Sequence, residues 1–100
     1  MKFSNGLTDA QLERLAVLSE EMGEAQQVVG KILRHGYESC HPKRPEGPNN
    51  RERLEEELGH VCYATRWFID SGDISQDRLI EQMNKKAGNI GHYLHHQEEP

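Results

Sequence analysis

Residues 18–32, LSEEMGEAQQVVGKI, have the pattern of an amphipathic helix with a carboxylate on its apolar side. Leu18, Ala25 and Ile32 recur at helical spacing, and Glu21 falls on the same side. An ionised carboxylate is costly among apolar residues unless it is paired or bound to a metal. This stretch therefore predicts a packed helix with a functional or paired group on its packed side.

Outward from this stretch, capping signals delimit a long first helix. Thr8 followed by Gln11 is a capping box, and Gly36 is a typical helix stop. The first helix is therefore predicted from about 9 to about 35. Residues 36–49, GYESCHPKRPEGPN, hold three prolines and two glycines, so a loop is predicted there.

Two further helices are predicted after the loop. Asn49 or Asn50 caps the second helix, which should end at Ser71-Gly72. Ser75 caps the third helix, whose apolar stripe continues to Leu94. Gly88 and Gly91 weaken this helix, and they either allow close packing or mark a break. Since no strand pattern is present, the predicted fold class is all-α. Three main helices per chain would form a bundle that is completed by oligomerisation.

Length and composition limit the kinds of protein this can be. One hundred residues correspond to a single domain, 1–100, with 97–100 expected to be frayed. A hydrophobic fraction of 34% is low for a self-contained core, which favours a homo-oligomer that shares its core. The net charge of −5 argues against a nucleic-acid polymer as partner.

The expected location is the cytoplasm. The chain has two cysteines, Cys40 and Cys62, without the spacing of a disulfide framework, and its N-terminus lacks the apolar segment of a signal peptide. No apolar run approaches the roughly 20 residues that a membrane span needs, so no membrane partner is expected.

A second acidic motif, LEEELGHV at 54–61, repeats the arrangement of the first. Glu57 interrupts an apolar stripe and His60 follows three residues later, as Glu24 follows Glu21. Residues three apart lie about 5–6 Å apart on one helix face. Two such helices packed together would direct three carboxylates and an imidazole at one volume, which predicts a metal site.

Two other interpretations of the acidic residues remain open. Glutamates are good helix formers, and Glu20, Glu55 and Glu56 are better explained as surface residues. The remaining carboxylates could instead pair with basic residues such as Lys31, Arg34 or Lys86.

LSEEMGEAQQ at 18–27 and LEEELGHV at 54–61 resemble the EExxE and ExxD motifs of the MazG-like, all-α nucleoside triphosphate pyrophosphohydrolases. The resemblance covers about 12–95. It implies metal-dependent hydrolysis of a nucleoside triphosphate to the monophosphate and pyrophosphate, in a dimer or tetramer. It also implies that Glu21, Glu24 and Glu57 are catalytic Mg²⁺ ligands. His60 stands where the family has aspartate.

Further substrate-binding residues are predicted around these motifs. The resemblance implies that Asn84 with Lys85 or Lys86 on the third helix contributes to the site. Lys31 and Arg34 could steady phosphate groups, or they could be solvated helix charges. Trp67, two turns beyond His60, could stack on a base, or it could be a core or interface residue.

His60 leaves the cofactor and the activity open. Imidazole suits Mn²⁺ or another transition metal better than Mg²⁺. One alternative is a MazG-like protein that binds nucleotide or another protein without hydrolysis. A second is a di-metal carboxylate redox protein, because Glu57-x-x-His60 fits the Glu-x-x-His element of ferritin-like bundles.

Overall fold

The computed structural model describes residues 4–98, and this part of the chain is all-α, as predicted. It contains three helices and a short 3₁₀ helix: α1 (Asp9–His35), α2 (Asn50–Asp70), α3 (Gln76–Asn89) and Ile90–Tyr93. One isolated bridge, between Cys40 and Asn49, lies in the loop that joins α1 to α2. Of the predicted frayed end at 97–100, residues 99 and 100 lie outside the described residues.

Side-chain caps fix the starts of the first two helices, as the sequence predicts. The Gln11 N–H donates to Thr8 Oγ1 at 3.1 Å, and the Thr8 N–H donates to Gln11 Oε1 at 2.8 Å. The Glu52 N–H donates to Asn49 Oδ1 at 2.9 Å, with the reciprocal bond at 3.0 Å. Each capping box satisfies two groups that a bare helix end would leave without partners.

The ends of α1 and α2 agree with the sequence, whereas the end of α3 does not. Gly36 and Gly72 follow the helices with φ of 85° and 84°, a conformation that side chains disfavour. The predicted apolar stripe of the third helix ran to Leu94, but α3 ends at Asn89 and Leu94 is extended. Gly88 and Gly91 surround this break, and glycine lowers helix stability by about 1 kcal/mol relative to alanine.

α1 and α2 form an antiparallel hairpin that carries the buried core. At the loop end, Asn50 Nδ2 donates to the Gly36 carbonyl oxygen at 3.0 Å. At the other end, the Arg14 guanidinium donates two bonds of 2.7 and 3.1 Å to the Asp73 carboxylate. Between these ends, the buried apolar residues are Ala25, Val28, Ala64 and Phe68. Few and mostly small side chains thus hold the two helices close together.

α3 lies apart from this hairpin and buries none of its residues. Its apolar side is open to solvent, with Ile80 43% and Met83 61% exposed. Met83 lies with Ile74, Leu79 and Ile90 along an apolar groove that accommodates about 980 Å³. A helix with one apolar side normally buries that side against another element.

The overall dimensions are large for 100 residues. The chain exposes 8703 Å², whereas a compact monomer of 11.5 kDa exposes about 5,800 Å². Its radius of gyration is 17.6 Å, against about 13 Å for a compact domain of this length. Among the described helices, none combines the length and apolar character needed to cross a membrane.

Candidate metal centre

The antiparallel packing of α1 and α2 brings the two acidic motifs together. Glu21 and Glu24 face α2 from the middle of α1, and Glu57 and His60 face α1 from α2. Each of the four side chains offers one ligand atom, and all four atoms lie within 4.8 Å of one another. We call these four residues the metal cluster.

Within the metal cluster, His60 lies between two carboxylates. His60 Nδ1 is 3.2 Å from Glu21 Oε2 and 3.5 Å from Glu57 Oε2. Both of these oxygens are buried, and neither has a hydrogen-bond partner among the described residues. Most buried polar atoms in native proteins have partners, so two oxygens without one at the same point call for an explanation such as a bound ion.

Among the four residues, Glu57 is the one whose surroundings clearly disfavour the ionised form. Burial raises the pKa of Glu57, and a hydrogen bond and repulsion from Glu24 raise it further. Glu21 acts in the same direction, whereas His60 opposes the rise. A divalent cation at this point would attract all three carboxylates and offset their mutual repulsion.

The donor set and spacing fit a divalent cation. Oxygen ligands lie about 2.0–2.6 Å from Mg²⁺ or Ca²⁺, so two ligands on opposite sides of one ion are about 4–5 Å apart. The largest separation of 4.8 Å in the cluster is within this range. Three carboxylates with one imidazole suit Mn²⁺ or Fe²⁺ at least as well as Mg²⁺. The His60 side chain is 48% exposed, so the site is open on that side.

The other predicted site residues fall into three places. Lys31 and Arg34 lie near the C-terminal end of α1, in a pocket that they share with Arg53 of α2. Trp67 is half-buried on α2, two turns beyond His60. The third place is α3, which presents the exposed residues Asn84, Lys85 and Lys86 and makes no extended contact with α1 or α2. The residues on α3 are therefore not brought to the metal cluster of their own chain.

Arg53 is a residue that sequence reasoning did not single out. It lies one turn before Glu57 on the side of α2 that faces α1. The sequence shows that Arg53 lies four residues before Glu57, so the two are neighbours on one helix face. The proximity of Arg53 to Lys31 and Arg34 follows only from the packing of the hairpin.

Compared with protein-family models, with curated proteins and with solved structures, the chain matches none. The resemblance of 18–27 and 54–61 to MazG-like motifs therefore remains a hypothesis. The geometry of the metal cluster is the stronger guide to function.

Proposed function

We propose that this chain is a metal-dependent hydrolase that converts a nucleoside triphosphate to the monophosphate and pyrophosphate. One observation carries the proposal: three carboxylates and an imidazole converge within 4.8 Å. Two of the carboxylate oxygens are buried without a hydrogen-bond partner in the described part of the chain. The nucleotide part is supported by the resemblance of the two acidic motifs to those of MazG-like enzymes.

The roles of the residues follow from their charges. Glu21, Glu24, Glu57 and His60 would hold the cation. Bound there, a divalent ion would neutralise phosphate oxygens and lower the pKa of a coordinated water. The three carboxylates repel a polyphosphate on their own, so substrate binding depends on this neutralisation. Lys31 and Arg34 would supply positive charge to phosphate groups further along α1.

His60 favours Mn²⁺ as the working cofactor, with Mg²⁺ as the weaker alternative. An imidazole in place of a carboxylate removes one negative charge and one hard oxygen ligand. The open side of the cluster at His60 leaves room for substrate oxygens in the coordination sphere.

We propose that two or more copies complete the bundle. The exposed apolar side of α3 and the surface in excess of a compact monomer support this step. Because α3 does not reach its own metal cluster, Asn84, Lys85 and Lys86 would act on substrate only from a second copy. The two free cysteines, Cys40 and Cys62, fit a reducing cytoplasm.

The test is pyrophosphate release from a panel of nucleoside triphosphates with Mg²⁺ or Mn²⁺. We expect turnover that is lost in Glu57→Gln and retained in Glu56→Gln, because Glu56 is an exposed neighbour outside the cluster. Absence of turnover with every metal and nucleotide would contradict the proposal and favour a non-catalytic role. A coloured, iron-loaded protein without turnover would favour the redox alternative.

A further inference from the structure

A second polar site lies at the loop end of the hairpin, separate from the metal cluster. It is a pocket of about 140 Å³ between the end of α1, the loop at 36–49 and the start of α2. Three side chains that are positively charged at neutral pH line the pocket: Lys31, Arg34 and Arg53. Two histidines, His35 and His41, also line it. We call the three cations the cationic cluster.

The cationic cluster has no acidic partner of its own. Among the described residues, the ion pairs within 4.0 Å engage Arg14, Arg51 and Arg66, and none engages a member of the cluster. Lys31 and Arg53 are half-buried, which reduces their contact with water. The Arg34 guanidinium lies back against Gly30, since a Cβ built on Gly30 would be 3.7 Å from Arg34 Nη1. Positive charge is thus concentrated here without an ion pair within 4.0 Å to a carboxylate of the described residues.

Helix electrostatics explain only part of this arrangement. Lys31 and Arg34 lie near the C-terminus of α1, where the helix dipole favours cations. Arg53 lies one turn into α2, near the positive end of that helix and close to two other cations. Without a bound anion, the Arg53 charge therefore lowers the stability of the fold. An anion bound between the three side chains would turn this electrostatic repulsion into attraction.

The pocket would bind an anion through side chains, because the first amides of α2 already have partners. The Asn50 N–H donates to the Ser39 carbonyl oxygen at 2.9 Å. The Arg51 N–H donates to the Tyr37 carbonyl oxygen, also at 2.9 Å. The Glu52 N–H donates to the Asn49 cap at 2.9 Å. Guanidinium groups bind phosphate and carboxylate oxygens with paired N–H donors, and phosphate offers the larger charge.

We propose that the cationic cluster binds a phosphate-type oxyanion. A pocket of about 140 Å³ is too small for a whole nucleoside, since drug-sized ligands occupy about 300–1,000 Å³. The ligand is therefore free phosphate, free pyrophosphate or the end of a polyphosphate chain.

The position of the pocket links it to the metal cluster. Arg53 precedes Glu57 by one turn, a rise of about 6 Å, and Lys31 follows Glu24 by two turns, about 10.5 Å. The angular offsets around the helices are only about 40° and 20°. A phosphate chain that begins at the metal cluster can therefore end at the cationic cluster. This link rests on the proposed function, whereas anion binding by the pocket does not.

The test measures pyrophosphate and inorganic phosphate binding to the full chain by calorimetry, first with all metal removed. We expect binding to the wild-type protein and weakening on the order of tenfold in Arg53→Gln. Arg53→Lys should fall between them, because it keeps the charge and loses the paired donors. The control is Arg66→Gln, an exposed arginine that pairs with Asp70 near the other end of α2. It should bind as the wild type does.

A thermal shift on adding pyrophosphate gives a second measurement, and it reports whether each variant is folded. No binding by the metal-free wild type, or equal weakening in Arg53→Gln and Arg66→Gln, would overturn the proposal. These measurements need no turnover, so an inactive protein that binds pyrophosphate would overturn only the hydrolase proposal.

Addition of Mn²⁺ then distinguishes the two sources of the anion. Tighter pyrophosphate binding with Mn²⁺ that is lost in Glu57→Gln would support one ligand spanning both clusters. Binding unchanged by Mn²⁺ would support an independent site for the free anion.

Discussion

Glu57 and His60 show how one pair of residues sets the properties of the metal cluster. Burial and two neighbouring carboxylates raise the pKa of Glu57, so its charged form is disfavoured in the folded chain. The pKa of Glu57 is higher in the folded chain than in the unfolded chain. The folded state therefore gains stability as the pH falls from the folded pKa to the unfolded pKa. At a pH above the folded pKa, the ionised Glu57 destabilises the fold unless a cation is bound.

Glu57→Gln should therefore stabilise the metal-free protein at pH 7. It removes a buried charge at nearly constant volume, and we expect a rise in Tm on the order of 2–5 °C. Addition of Mn²⁺ should raise the Tm of the wild type and not that of Glu57→Gln. Differential scanning calorimetry checks both points, with Glu56→Gln as the control. A lower Tm in metal-free Glu57→Gln would show that Glu57 has a structural partner instead.

His60→Asp should move the metal preference of the cluster towards Mg²⁺. The substitution replaces an imidazole by a hard oxygen donor and adds one negative charge. Titration of Mg²⁺ and Mn²⁺ into both proteins should show Mg²⁺ binding on the order of tenfold tighter in the variant. An unchanged ratio of the two affinities would mean that His60 does not contact the ion.

At the scale of elements, polar contacts at its two ends add to the small buried core of the α1–α2 hairpin. The Arg14–Asp73 pair ties the start of α1 to the chain just after α2, and both side chains are largely buried. Hydrogen bonds from Arg14 lower the pKa of Asp73 despite its partial burial, with smaller contributions from Gln11 and Ser71. The stability that this pair contributes is present above the unfolded pKa, near 3.8, and is lost as the pH falls through the folded pKa.

Asp73→Asn should lower the Tm at pH 7 by several degrees, and the difference from the wild type should shrink as the pH falls below about 3.8. The physical reason is that the wild-type carboxylate then also becomes neutral. Thermal unfolding followed by circular dichroism between pH 2 and 7 measures this. Asp70→Asn serves as the control, because Asp70 is exposed and lies 3.6 Å from Arg66. Such surface pairs contribute little, so its Tm should hardly change.

At the scale of the whole molecule, the chain exposes more surface than a compact monomer of its mass would. Its exposed area exceeds that of a compact monomer by about 2,900 Å². Stable protein interfaces bury about 1,200–2,000 Å² in total, contributed by both partners. The exposed surface of one chain is thus ample for such an interface, and the apolar side of α3 is part of it.

Met83→Lys should therefore weaken association between copies. Met83 lies on the apolar side of α3 and is 61% exposed in the single chain, so a lysine there leaves the helix itself intact. We expect an oligomer for the wild type and a larger monomer fraction for the variant in light scattering after gel filtration. Glu81→Gln changes the net charge by the same amount without lining the groove, and it should behave as the wild type. A monomeric wild type at tens of micromolar would contradict the prediction.

The sequence by itself determined the helices and the side of each helix on which the candidate ligands lie. Caps such as Thr8 and Asn49 act within four residues, and helical spacing places Glu21 beside Glu24 and Glu57 beside His60. These relations are local, so they could be predicted. The end of α3 at Asn89 stayed open in the sequence, because Gly88 and Gly91 weaken a helix without fixing where it stops.

Only the tertiary structure decided which motifs meet. The antiparallel register of α1 and α2 joins Glu21 and Glu24 to Glu57 and His60, and it also brings Arg53 near Lys31. This register depends on contacts far apart in the chain, such as Arg14 with Asp73, which no local pattern encodes. The separation of α3 from the hairpin was likewise invisible in its apolar stripe. A stripe shows that a helix side must be covered, but packing alone determines whether its own chain covers it.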